Sequence, residues 1–343
     1  MYNEEKTFLK ELGLYYLGYR NVKYDCIKSF DWNFVLFQAI KHNLLGLLWE
    51  VLTCNEIIKE IPFFLRQFLS QQSLLIKEKN QIYCQKLHEL SELLNKNNIS
   101  YAVVKGIVID QLLYGGEGIK GFSDIDILIN SNTSNKVHEV LLNSHFCYGY
   151  YNDIKHKVEE HPRNKVLLYK MTKDHVGEYV YITDSRVIPV VKVDISTDID
   201  WLSTNKVMLN LSDGSSISLD NSVIKTLSLE MHFLYLILHI YRHASSKRFS
   251  KRKINVKLMM LNDLVLFYLK YKEPLAYKFK ETFDENTSIH NRVLWVLRIV
   301  EKTFNLSIID FLRINPISKF NMAEYEKKIE YKTFVDFENL LWL

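Results

Sequence analysis

The sequence predicts an α+β chain, a small mixed β-sheet with helices, flanked by N-terminal and C-terminal helical regions. Apolar residues recur at three- and four-residue spacing from Glu4 to about Asn97, which is the helical period. Short β-branched and apolar runs, YAVV, DIDILI, EYVYIT and VIPVVKVDIS, gather in the middle of the chain, as strands do. From about Ser222 the helical period returns in SVIKTLSLEMHFLYLILHIYRHA, INVKLMMLNDLVLFYLKY and NRVLWVLRIVEKTF. The expected division is therefore 1–98, an N-terminal helical region, 99–220, an α/β core, and 221–343, a C-terminal helical domain. That plan suits 343 residues, given domains of roughly 100 to 200.

Each element has a local reason. FLKELGLYYL, FVLFQAIKHNLLGLLWEVL and QSLLIKEKNQIYCQKLHELSELL read as amphipathic helices, and the turn KNNIS ends the last of them. YAVVKG is a strand running into a turn at Gly106, and IVIDQLLYG is a helix. GGEGIKG is a glycine-rich turn, DIDILI a strand, and about Asn132 to Asn143 a helix. KVLLYKM, EYVYIT and VIPVVKVDIS read as strand-like, and NLSDGSSISL as a hairpin.

Composition excludes several classes. With 48% hydrophobic and 24% charged residues and five prolines, the chain is folded and not disordered. A net charge of +4 gives no general case for nucleic-acid binding. Cys26, Cys54, Cys84 and Cys147 form no CxxC pair, so neither a zinc knuckle nor a disulfide framework is expected, and a reducing cytoplasm fits them. MYNEEKTFLKEL lacks the apolar core of a signal peptide, and FLYLIL falls short of the roughly 18 residues of a membrane span. A cytoplasmic protein with no membrane partner is expected. There is no GxxxxGK[ST], GxGxxG or nucleophile elbow. HKVEEH, His156 to His161, has neither HExxH nor HxxEH spacing, and reads as a loop or strand-edge segment. The aromatic residues, spread at core spacing through the helices, are assigned to packing.

GFSDIDILIN is the stretch that asks for chemistry. In a strand, Asp124, Asp126 and Leu128 share one face while Ile125, Ile127 and Ile129 share the other. The isoleucines make core. The two aspartates stand about 7 Å apart at Cα, and carboxylates brought to about 4 Å repel by roughly 4 kcal/mol at an effective dielectric near 20. A divalent cation removes that penalty. Hard oxygen ligands suit Mg2+ or Mn2+, which take a few carboxylates plus waters and phosphates. In phosphoryl chemistry two such ions some 4 Å apart stabilise the attacking and leaving oxygens. Asp194 in VIPVVKVDIS is the best third ligand, sharing a face with Lys192 and Val190; Asp198 and Asp200 are weaker because they fall in the turn that follows. The plainer alternative is a solvated strand edge or a turn cap. The apolar flanks, the preceding Lys-Gly turn and the glycine-rich approach favour a metal site.

These residues resemble a family. VVKGIVIDQLLYGGEGIKGFSDIDILI is similar to the signature of nucleotidyltransferases of the DNA polymerase beta superfamily, more narrowly to a poorly characterised bacterial branch with a KG turn, a helix ending in LY, a basic residue and a DIDLL strand. Lys105 and Gly106 match the KG, Leu113 and Tyr114 the LY, and Asp124 and Asp126 the paired metal ligands. Asp194 stands where that branch carries its third acid. The likeness covers about Tyr101 to Tyr271. It implies metal-dependent transfer of a nucleoside monophosphate from a triphosphate such as ATP to an acceptor, small molecule, RNA or protein, with release of pyrophosphate. Asp124, Asp126 and Asp194 would be catalytic, and Lys105, Gly106, Lys120, Ser123 and Lys192 would bind the nucleotide. The alternatives are a toxin of an abortive-infection or toxin-antitoxin system, and a non-catalytic nucleotide- or partner-binding module on the same fold. Two positions depart from the pattern: Lys120 stands where arginine is usual, without its bidentate fork, and Ile107 follows Gly106 where a glycine or serine is customary.

Two further features carry both a structural and a functional reading. His239 and His243 lie one helical turn apart, as a zinc pair would, but HIYRH has no glutamate after the first. They are histidines inside a helical bundle or, following the resemblance, contacts to a phosphate or acceptor. SSKRFSKRKINVK holds Lys247, Arg248, Lys251, Arg252, Lys253 and Lys257, either a solvated loop or an attractor for an anionic acceptor such as RNA. Phe249 is its one aromatic, too few for base stacking along a strand.

Overall fold

The apolar repeat at the start of the chain becomes helices α1 (Asn3–Lys10), α2 (Leu12–Tyr16), α3 (Tyr24–Ile27), α4 (Trp32–Lys41), α5 (Leu45–Cys54) and the long α6 (Phe63–Lys96). They are seen in a computed structural model that describes residues 2–22, 24–172, 175–200, 211, 214–219, 222–245, 256–314 and 342. Asp31 starts α4 by accepting the N–H groups of Asn33 and Phe34 at 3.0 and 3.2 Å, donors that no preceding turn satisfies. The middle of the chain gives β1 (Tyr101–Val104), α7 (Gly106–Tyr114), β2 (Ile125–Ile129), α8 (Ser134–Leu142), β3 (Cys147–Asn152) and β4 (Lys157–Glu160). It continues through α9 (Arg163–Thr172), β5 (His175–Ile182), β6 (Val190–Ser196), β7 (Ser215–Leu219) and β8 (Ser222–Thr226). Helices α10 (Leu229–Ser245), α11 (Leu258–Glu285), α12 (His290–Phe304) and α13 (Ile308–Phe311) follow. The class is α+β, as the alternation of texture along the sequence predicts.

The chain forms two compact units, one of Met1–Leu74 with Leu229–Leu343 and the other of Leu75–Ser228. The helical stretches from the two ends of the chain thus share one unit, and the boundary falls inside α6. In the helical unit α10 packs on α11 and α12. Asn262 ties this unit together by accepting the Gly13 N–H at 2.9 Å and donating to the Leu258 carbonyl at 3.0 Å. Pro274 bends α11: lacking an N–H and crowding the preceding turn, it leaves Tyr271 outside helical geometry at φ −117° and ψ 20°.

The second unit is built on an eight-stranded sheet of order β4-β3-β5-β6-β2-β1-β8-β7. Strands β2 and β6 run parallel, as do β1 and β8, while the other neighbours are antiparallel. Tyr83, Leu87, Leu90 and Leu94, spaced to share one side of α6, join Ile125, Ile127, Ile129, Val193 and Ile195 in the core. Each such side chain contributes about 1.5–3 kcal/mol through burial.

Two stretches depart from their local texture. KVLLYKM, strand-like in sequence, is helical within α9. The Pro162 carbonyl accepts the N–H groups of Lys165 and Val166 at 2.8 and 3.2 Å, and a proline at a helix start gives up no bond the helix needs. SVIKT, which begins the returning helical period, is strand β8. It pairs with β7, Leu219 opposite Ser222, and with β1, Val103 opposite Thr226, where the Thr226 hydroxyl donates to the Val103 carbonyl at 2.7 Å. The helix starts only at Leu229. Strand β3 has no clear signal in the sequence, and Lys157–Glu160 of HKVEEH is edge strand β4. Of NLSDGSSISL, Asn210, Ser212 and Asp213 lie outside the described residues. Among the described residues no helix is long and apolar enough to cross a membrane.

Candidate active site

Alternation along β2 sends Ile125, Ile127 and Ile129 into the core and Asp126 to the opposite face, where it is only 5% exposed. Asp126 is the pairing partner of Asp194 in the parallel β2–β6 register. Neighbouring strands lie about 4.8 Å apart, so the two carboxylates start from adjacent backbone positions. Asp124 stands just before β2, two residues earlier, and its Oδ1 accepts the Ser123 hydroxyl at 3.3 Å. The Ser123 carbonyl in turn accepts the Tyr83 hydroxyl at 2.8 Å, which fixes the entry to β2 against α6.

The sheet adds an acid that the sequence pattern did not single out. Glu178 on β5 pairs with Asp194 on β6, so Asp126, Asp194 and Glu178 form a row across three strands on one face. No local motif marks Glu178; its place follows from the β5–β6 register. Burial pushes the carboxyls of Asp124, Asp126 and Glu178 up, that of Asp126 to about 7. Lys105 pulls both aspartates back toward ionisation, while Asp194 raises both and Asp124 raises Asp126. Such mutual opposition is what like charges in one partly desolvated place produce.

The cations come from three directions. Lys105, directly after β1, places Nζ 2.5 Å from Asp126 Oδ1. Its backbone takes φ 57° and ψ −128°, a conformation costly for a residue with a side chain and typical of functional turns. Its carbonyl accepts the Ile109 N–H at 2.8 Å, so α7 begins at once and the amides of its first turn are left for an external acceptor. Gly106 is required there because a Cβ would lie 2.6 Å from Phe122 Cβ. Lys192 lies two residues before Asp194 on the same face. Lys79 of α6 is the cation the sequence pattern missed: burial lowers its pKa, Asp124 raises it and Lys192 lowers it further, which places all three in one electrostatic neighbourhood. Its only sequence signal is the spacing of one helical turn from Tyr83.

Lys120 is held through its backbone. Its N–H donates to Asp110 Oδ1 at 3.2 Å and its carbonyl accepts Asn80 Nδ2 at 2.9 Å, while Asn80 Nδ2 also lies 3.3 Å from Asp110 Oδ2. Burial lifts the Asp110 carboxyl to about 6, and the hydrogen bonds and charge of Lys120 and Asn80 counter part of that rise. Gly118 lets the turn lie on α6, since at φ +69° a Cβ would meet Lys77 Cγ at 2.8 Å. Asp110 and Asn80 are thus the supports of this turn, signalled in sequence only as polar residues within helical runs.

Asp198 and Asp200 are buried in the turn after β6, where the Asp200 N–H donates to Asp198 Oδ1 at 3.0 Å. His239 and His243 belong to the helical unit, their rings edge to face at 4.7 Å. His232 of the same helix is fully buried and stacks on Phe267. The basic residues 247–253 lie outside the described residues. As placed, no three His, Cys, Asp or Glu side chains among the described residues form a cluster tight enough to hold a metal ion. The donor set itself is all carboxylate, the chemistry that hard divalent cations take, and its crowding of like charges is what such a cation relieves.

Comparison with known proteins bears on this site. The sequence profile of a family described as uncharacterised nucleotidyltransferase matches residues 28–304. Among solved structures, an antigenic nucleotidyltransferase-like protein from Paracoccidioides brasiliensis is 16% identical over 69% of this chain and 92% of that one, with a TM-score of 0.41. No curated protein matches the chain. Since the profile spans most of the sequence and takes in Asp124, Asp126 and Asp194, the chain belongs to the uncharacterised nucleotidyltransferase family.

Proposed function

We propose that the protein is a magnesium-dependent nucleotidyltransferase, moving a nucleoside monophosphate from a triphosphate to a hydroxyl-bearing acceptor and releasing pyrophosphate. The observation that carries this reading is the pairing of Asp126 with Asp194 on adjoining parallel strands, with Asp124 two residues away and the Lys105–Gly106 turn beside them. Asp124, Asp126 and Asp194 would hold the metal, and Mn2+ would serve in its place. When bound, it supplies charge neutralisation to the phosphates and to the oxygens that attack and leave. Lys105, Lys120, Lys79 and Lys192 would balance the triphosphate, and the first amides of α7 at Gly106 would receive one of its phosphates. The acceptor oxygen bonds to the α-phosphorus as the bond from that phosphorus to the bridging oxygen of the β-phosphate breaks. Pyrophosphate leaves with the electron pair, and the acceptor's proton passes to Asp194.

One observation favours a second reading. The Lys105–Asp126 pair supplies from within the chain part of the countercharge that a metal would bring, as suits a module that binds nucleotide without turnover. The acceptor classes, a toxin role among them, differ only in what meets the α-phosphorus. Calorimetric titration of the four ribonucleoside triphosphates, with and without Mg2+, into wild type and Asp124→Asn/Asp126→Asn tests the proposal. Binding that needs Mg2+ and is lost in the double variant supports it; binding indifferent to both Mg2+ and the substitutions overturns the metal assignment.

A further inference from the structure

Lys105 follows β1 directly, and its backbone turns it out of the strand's alternation. Tyr101 and Val103 face the core and Val104 is the pairing partner of Asp126, so a further extended residue would send its side chain to the core side. The φ of 57° and ψ of −128° bring the ammonium instead to the acid face. There Nζ lies 2.5 Å from Asp126 Oδ1, with 17% and 6% of the two side chains exposed. Glycine takes such a φ readily; a lysine held there against the strain points to a use for its side chain.

That use follows from what the ammonium occupies. Mg2+ binds carboxylate oxygens at about 2.0–2.1 Å, so the ion and Lys105 Nζ compete for the same atom of Asp126. Burial pushes the Asp124 and Asp126 carboxyls up, and among the influences that pull them back Lys105 is the strongest on both. The formal charges around it are also matched. Asp124, Asp126, Asp194 and Glu178 share one electrostatic neighbourhood with Lys79, Lys105, Lys165 and Lys192. A bare divalent cation adds positive charge to a set already balanced, whereas the same cation carried on a triphosphate arrives as an anionic complex.

We infer that Lys105 is a resident counter-ion that leaves Asp126 only for a phosphate, so that the ligand this site takes is the metal–triphosphate complex and not the bare metal ion. The inference rests on the reading of Asp124, Asp126 and Asp194 as metal ligands. The turn itself is held: the Lys105 carbonyl accepts the Ile109 N–H at 2.8 Å, and Gly106 lies against Phe122. The first amides of α7, where a phosphate would rest, begin one residue away. Rotation about the lysine's side-chain bonds is then enough to carry the ammonium from carboxylate to phosphate, and the metal takes its place on Asp126.

Two titrations of the full-length protein test this: bare Mn2+, followed by the electron paramagnetic resonance of the free ion, and the Mg2+ complexes of the four ribonucleoside triphosphates, followed by calorimetry. Lys105→Met and Lys105→Gly, the second suited to the φ of that position, are expected to bind bare Mn2+ at least tenfold more tightly than wild type and the Mg2+–triphosphate complex at least tenfold more weakly. Damage to the fold would weaken both. Lys79→Met, which removes an ammonium whose influence falls on Asp124, should tighten bare Mn2+ less than threefold. The inference is overturned if neither Lys105 variant tightens Mn2+, if Lys79→Met tightens it as much, or if the Lys105 variants keep wild-type affinity for the complex. A wild type that binds neither ligand, or binding that Asp124→Asn/Asp126→Asn leaves untouched, would bring down the metal assignment itself and this inference with it.

Discussion

Polar groups are buried in both units, and they are treated in opposite ways. In the helical unit Asn262 is spent on hydrogen bonds to Gly13 and Leu258, and His42 Nδ1 accepts the Leu258 N–H at 3.1 Å. His232, wholly inside, has its pKa lowered to about 3 by burial, which keeps the ring neutral. Across the sheet of the other unit, Asp194 opposes the ionisation of Asp124 and Asp126, Asp124 opposes that of Asp126, and Lys105 favours both. Asn262 and His42 serve the fold through hydrogen bonds and His232 by staying neutral; groups left in electrostatic conflict mark where an external partner is expected.

The sharpest break of this contrast is Asp124→Asn/Asp126→Asn. It is expected to lower nucleotidyl transfer on the order of a thousandfold or more while circular dichroism and the thermal transition stay near wild type, because no core contact is removed. A variant that unfolds instead would show these acids to be structural. The mirror experiment is Asn262→Ala, which leaves the Gly13 N–H buried without its acceptor and is expected to cost about 1–3 kcal/mol in urea unfolding. Metal-dependent triphosphate binding by the folded fraction should be unaltered.

His232 gives the helical unit an acid-sensitive term. Its ordinary value is 6.5 and its folded value about 3, so the unfolded chain takes up a proton first as pH falls. Stability is full above about pH 6.5 and declines toward pH 3, with about 2 kcal/mol lost from this group by pH 5. Denaturant midpoints of wild type and His232→Leu at pH 7.5 and pH 5 measure it, and equal pH slopes in the two proteins would rule the group out. The smallest effect expected is that of Lys79→Met, about a tenfold loss of triphosphate affinity with a shallower salt dependence. An unchanged dissociation constant would remove Lys79 from the site.

What was legible in the sequence follows the reach of each interaction. The pattern DIDILI declares itself because charge and isoleucine alternate within six residues, and VVKVDIS does the same. The helix after Lys105–Gly106 is equally local. Glu178 and Lys79 reach the acids only through the β5–β6 register and the lie of α6 on the sheet, which no short window contains. KVLLYKM and SVIKT read in sequence as the element they do not form for a related reason: within five to seven residues the helical and strand periods overlap, and the Pro162 carbonyl in one case and pairing with β1 and β7 in the other decide the outcome. The union of the two terminal helical stretches in one unit is likewise a long-range fact.

The parallel register of β2 and β6 has a consequence for how the protein is born and how it fails. The hydrogen bonds that set Asp126 beside Asp194 also set Ile125 beside Val193 and Ile127 beside Ile195. A slip of one residue would turn the isoleucines out and the aspartates in, so the burial of the isoleucines guards the acids against that error. During synthesis the alignment must wait until β6, some sixty residues after β2, has emerged.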